Sequence, residues 1–198
     1  MKKMLKNSLL IGAAILGIGS IGAGGLEAKA ATTTPPTTSA TATITPQPVM
    51  LKSEPGIAFG TVDSSADDIT YKSTAITGGL QVANPGEPTG WSVSVADSPF
   101  TAGTGGATLK NAQLSVADSS TTPVKADDAD NVSTLPTFTG TTPISSAPVT
   151  VLNAAAGAGV GSFTASYEPT DASLAVPAGN IGGSYSSTLT WTLANAPA

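Results

Sequence analysis

Polar and apolar residues alternate strictly from Thr188 to Leu193. Leu189, Trp191 and Leu193 share one face, and Thr188, Thr190 and Thr192 the other, which is the period of a half-buried β-strand. Similar short runs recur at Gly79–Ala83, Trp91–Val95, Thr108–Val116, Pro148–Leu152, Ser162–Tyr167 and Ser173–Val176. In Ser162–Tyr167, Phe163, Ala165 and Tyr167 face one way while Ser162, Thr164 and Ser166 face the other. No 3.6-residue period stands out after Ile44. With 22 Gly and 15 Pro punctuating the runs, the pattern predicts an all-β domain: an antiparallel sandwich or a barrel-like arrangement of short strands. The longest stretch without a pattern is Ala117–Pro148, read as a long functional or mobile loop. A tryptophan strand so near the last residue must dock into the fold, because its apolar face otherwise stays wet.

The first thirty residues change the picture. Lys2, Lys3 and Lys6 precede an apolar run from Leu9 to Ile21, and Ala28-Lys29-Ala30 has the form of a signal-peptidase site. The expectation is a signal peptide over 1–30, a Thr/Pro-rich spacer over 31–43 and one domain over 44–198. The mature chain from Ala31 then carries no transmembrane span, no lipidated cysteine and no covalent wall-sorting signal. Zero Cys leaves stabilisation to the core. A mature chain of this size buries roughly 70% of its unfolded surface, enough for that purpose.

Every basic residue is lysine. The mature part keeps four lysines against twelve acids, a net charge of −8. Such a balance disfavours nucleic acid, which needs a basic patch. It also opposes long-range attraction to anionic wall polymers, so binding to a wall must use short-range contacts. Salt should then strengthen it by screening the repulsion.

Candidate chemistry is sparse. Trp91 and Trp191 are the two tryptophans, each on the apolar face of an alternating strand. They read either as core anchors or as an aromatic surface for a sugar or a protein. Asp127-Asp128-Ala129-Asp130-Asn131 starts like a calcium loop but has Val132 where the pattern continues and no glycine after it, so it reads as a solvated loop without metal. With no His and no Cys, triads, cysteine nucleophiles and the commonest zinc ligands are absent. Carboxylate pairs from Glu54, Glu87, Glu168 and the aspartates have no fixed spacing. The chain therefore reads as a non-enzyme with no cofactor and no catalytic residue.

The segments Gly90-Trp-Ser-Val-Ser-Val95 and Trp191-Thr-Leu193 resemble the two signatures of the WxL domain, a surface domain of low-GC Gram-positive bacteria. Val93 stands where the first signature would have Leu. Tyr185 precedes the second and Ala196-Pro197 follows it. Gly56-Ile-Ala-Phe-Gly60, Ala107–Leu114, Gly157-Ala-Gly-Val-Gly161 and Leu174–Pro177 extend the likeness over roughly Ile44 to Pro197. The resemblance implies non-covalent association with the cell surface through peptidoglycan, with membrane-anchored surface proteins as partners of such domains. The expected function is thus a secreted, cell-wall-associated binding module. The alternative is a protein-interaction module held by a membrane-anchored partner or meeting host matrix. Trp91, Val93, Tyr185, Trp191 and Leu193 are the candidate residues, as ligand contacts or core anchors.

Overall fold

A computed structural model describes residues 35, 37–103, 106–117, 124–140 and 142–198. The expected signal peptide, most of the first spacer residues, Asp118 and Pro123 lie outside the described residues. One compact unit runs from Thr43 to Ala198.

Among the described residues the unit is built from strands without a helix. The strands are β1 (Met50–Ser53), β2 (Gly56–Ala58), β3 (Ile69–Lys72), β4 (Ala75–Thr77), β5 (Leu80–Asn84), β6 (Trp91–Asp97) and β7 (Gln113–Val116). They continue as β8 (Val124–Ala126), β9 (Thr137–Phe138), β10 (Thr142–Ile144), β11 (Val149–Ala154), β12 (Gly161–Ala165), β13 (Ala172–Val176) and β14 (Leu189–Ala194). Three four-stranded sheets have the orders β1-β5-β12-β8, β10-β7-β13-β3 and β14-β6-β11-β9, and β2 pairs with β4. Every pairing is antiparallel. No sheet closes on itself, so the architecture is sandwich-like and the barrel-like alternative is set aside.

The period-2 pattern explains which faces meet. Leu80 and Val82 of β5, Phe163 and Ala165 of β12, Val93 and Val95 of β6, and Leu114 and Val116 of β7 all point into one core. In β11 the register slips between Thr150 and Leu152. The resulting bulge lets the consecutive residues Val151 and Leu152 both be buried, which strict alternation forbids.

Two expectations are corrected. The stretch Ala117–Pro148 is not a structureless loop: it contributes β8 to the first sheet, β9 to the third and β10 to the second. Each is two or three residues long, too short to show a period. The run Thr108–Val116 is not one strand either. Thr108 forms an isolated bridge with Thr101, the chain turns at Asn111 with φ 56°, and only Gln113–Val116 joins a sheet.

Candidate functional site

The two tryptophan signatures lie side by side in the third sheet. β14 pairs with β6 so that Leu193 faces Val93 and Trp191 faces Val95. Trp91 itself lies opposite Ala154 of β11. Four residues of strand therefore separate the two indole positions along the sheet, roughly 13 Å.

Their environments differ because β6 is an inner strand and β14 an edge strand. Trp91 is 0% exposed and its Nε1–H donates to the Gly159 carbonyl at 2.9 Å. That approach needs glycine: Gly159 sits at φ +63°, and a Cβ there would lie 2.8 Å from Nε1. The Gly157–Gly161 turn is thus the receptor for the first tryptophan. Gly90, just before it, has φ +81° and packs against the Ala154 carbonyl, where a Cβ would come within 2.5 Å. Val93 is likewise fully buried. Neither Trp91 nor Val93 has surface to offer a ligand. Trp191 and Leu193 are half-buried against the same core.

Tyr185 stands elsewhere. It lines a cleft of about 570 Å³ formed by the β2–β3 connection, β3, the end of β13 and the segment leading into β14. Phe59, Tyr71 and Phe100 line it with Tyr185, and Phe59 and Phe100 are partly buried against the hydrophobic core. The tyrosines are fixed by their hydroxyls: Tyr71 Oη–H donates to the Asp63 carbonyl and Tyr185 Oη–H to the Ile181 carbonyl, each at 2.7 Å. Each phenol oxygen keeps its acceptor capacity. Val62 and Ile181, 44% and 74% exposed, form an apolar rim. Asp63 and Asp67 add carboxylates, and among the described residues no lysine lines the wall. Asn180 is committed to structure, accepting from Lys110 N–H and donating to the Lys110 and Pro177 carbonyls. Periodicity could not reveal this site, because its rings come from four distant segments. The one sequence signal was Tyr185 and Phe59 inside the family-like motifs.

The acidic run is only partly a loop. Asp127 continues the β8–β12 ladder through its N–H to the Ser162 carbonyl at 2.9 Å. Its carboxylate accepts from Ser162 Oγ, Thr164 Oγ1 and Gln81 Nε2. Burial pushes its pKa up, but those three donors outweigh burial and hold it below the ordinary aspartate value. Asp128 and Asn131 cap their own turn, accepting from Asp130 N–H and Ser133 N–H. Among the described residues no group of three or more potential metal ligands is gathered. Asp97, opposite Leu189, is pushed up by burial against a smaller lowering from a backbone hydrogen bond. Tyr167 is pushed well above the usual tyrosine value, by burial and then by Asp171.

The model of the WxL domain family, described as a surface cell wall-binding domain, matches residues 27–197. The chain belongs to that family. It is accordingly a cell-wall-associated binding module of the cell surface. No curated protein and no solved structure matches it. Among the described residues no helix is long and apolar enough to cross a membrane.

Proposed function

We propose that the domain is exported and holds the wall without a covalent bond, by binding peptidoglycan directly in the aromatic cleft. The observation that carries this is that Phe59, Tyr71, Phe100 and Tyr185 all line one cavity of about 570 Å³. That volume is in the range of ordinary ligand sites. Aromatic faces stack on the apolar faces of sugar rings, and fixed phenol oxygens with nearby carboxylates orient hydroxyl, amide or amine groups. The absence of a lysine in the lining fits an uncharged glycan or peptide better than an anionic polymer. Binding alone is the activity. The chain has no His or Cys, and the cleft's carboxylates, Asp63 and Asp67, are read as hydrogen-bond acceptors for the ligand.

The test is sedimentation of Ala31–Ala198 with peptidoglycan stripped of teichoic acid and protein, at low and high salt. The reading expects co-sedimentation that holds or improves with salt, and its loss in a folded Tyr71→Ala/Tyr185→Ala variant. A folded domain that stays in the supernatant would move retention to a membrane-anchored protein partner or to host matrix.

A further inference from the structure

Among the described residues β14 is the last strand of its sheet, with β6 on one side only. Its hydrogen-bonding phase can be read directly. Ser98 N–H donates to the Thr188 carbonyl at 2.9 Å, and Thr190, Thr192 and Ala194 follow opposite Ala96, Ser94 and Ser92. Hydrogen-bonded pairs alternate in an antiparallel ladder. The backbone groups of Leu189, Trp191 and Leu193 therefore point away from β6. Asp97, opposite Leu189, agrees: its own N–H donates the other way, to the Ser145 carbonyl at 3.0 Å.

Open edges are normally guarded by lysine, proline, a bulge or extreme shortness. The other edges of the four-stranded sheets follow that rule. β1 carries Lys52 and a register slip, β3 carries Lys72, β8 carries Lys125, β10 carries Pro143, and β9 is two residues long. Three of the four lysines after residue 30 thus stand on edge strands. β14 has no guard. Its six residues, LTWTLA, carry no charge and no proline, and its register with β6 is unbroken. The segment after it does not cover the edge. That segment turns across β6 towards β11, where Ser92 Oγ–H donates to the Ala196 carbonyl and Ala198 N–H to Asn153 Oδ1.

The unguarded strand is also self-complementary. Leu189-Thr-Trp-Thr-Leu193 reads the same in both directions about Trp191. A two-fold interface requires such a surface, since each copy presents the same patch. Antiparallel pairing centred on Trp191 sets Trp191 against its own counterpart, Leu189 against Leu193 and Thr190 against Thr192. The outward backbone groups of Leu189, Trp191 and Leu193 then meet in hydrogen-bonded pairs. The half-buried Leu and Trp side chains gain cover on the core face, and the exposed threonines pair on the other. We propose that β14 is a homodimerisation edge, joining the third sheets of two copies into one continuous sheet. This does not depend on the wall-binding reading, and either can fail alone.

The experiment is sedimentation velocity of Ala31–Ala198, which keeps the whole compact unit, over a concentration series at two salt concentrations. Two double variants at the exposed positions accompany it. T190K/T192K sets lysine against lysine in both cross-strand pairs, and T190K/T192E sets lysine against glutamate in both. The proposal expects a reversible dimer, tighter at high salt because two acidic copies repel less. It expects association weakened on the order of ten-fold or more in T190K/T192K and regained in T190K/T192E. Two added lysines lower the net negative charge, so bulk electrostatics alone would tighten T190K/T192K; local opposition alone loosens it. Thermal unfolding checks that both variants keep their fold. A wild-type chain that is monomeric throughout, a T190K/T192K dimer as tight as wild type, or a T190K/T192E chain as weak as T190K/T192K would each overturn the proposal.

Discussion

Replacing Trp91 should damage the fold and leave the binding chemistry intact. The side chain is 0% exposed, and its indole N–H is bonded to the Gly159 carbonyl at 2.9 Å. Trp91→Ala removes a large buried side chain, a loss of about 3–5 kcal/mol. It also leaves the Gly159 carbonyl without its donor. For a domain of this length each kcal/mol moves the midpoint by about 2–4 °C, so Tm should fall by about 6–20 °C. Domain stabilities are about 5–15 kcal/mol, so the less favourable end of that range unfolds much of the sample. Trp91→Phe keeps most of the packing and loses the hydrogen bond, costing about 1–3 kcal/mol. The assay is calorimetry or circular dichroism paired with wall sedimentation, bound protein being normalised to the folded fraction. Per folded molecule, both variants should bind like wild type. A Trp91→Ala protein with an unchanged Tm and no wall binding would refute the assignment of Trp91 to the core.

Other outcomes follow from the same geometry. Deleting Leu189–Ala198 removes a whole strand pairing with β6 and should abolish cooperative unfolding; a truncated chain with a native thermal transition would contradict the architecture. Gly159→Ala meets both a positive φ and the Trp91 indole, and should cost about 1–3 kcal/mol, read as lower urea resistance. The lowered pKa of Asp127 means that its stabilisation is present above the ordinary aspartate value and is lost as pH falls through the lower folded value; Asp127→Asn should flatten that acid limb. Asp97 has the opposite sign, its folded pKa lying above the unfolded one, so stability declines as pH rises from the ordinary value through the raised one. Asp97→Asn should raise Tm at neutral pH.

The strands that period-2 reasoning found are those with one apolar and one polar face, whether the polar face is exposed as in β14 or only partly so as in β6 and β12. The Trp91, Ser162 and Thr188 runs correspond to β6, β12 and β14 within a residue or two at each end. Alternation reports a dry side but not how deep it lies. It therefore gave Trp91 and Trp191 the same standing, whereas strand order makes one an inner residue and the other an edge residue. β8, β9 and β10 were hidden because two or three residues cannot display a period and the surrounding Asp and Pro read as loop. The β11 bulge broke the pattern where two consecutive residues are buried. The cleft was the least legible feature. Phe59, Tyr71, Phe100 and Tyr185 line one cavity only once β3 has paired with β13 and the segment before β14 is in place. Tyr185 was visible as a motif residue, but its neighbours were not.

The central claim is that the wall ligand occupies the aromatic cleft. An amide chemical-shift titration of Ala31–Ala198 with soluble peptidoglycan fragments tests it most directly. Saturable shifts should gather on Asp63, Asp67, Tyr71, Ile181 and Tyr185, with Trp91 and Gly159 unmoved. Saturable shifts that leave those cleft residues unmoved, or no shifts from a folded protein at millimolar fragment, would contradict it.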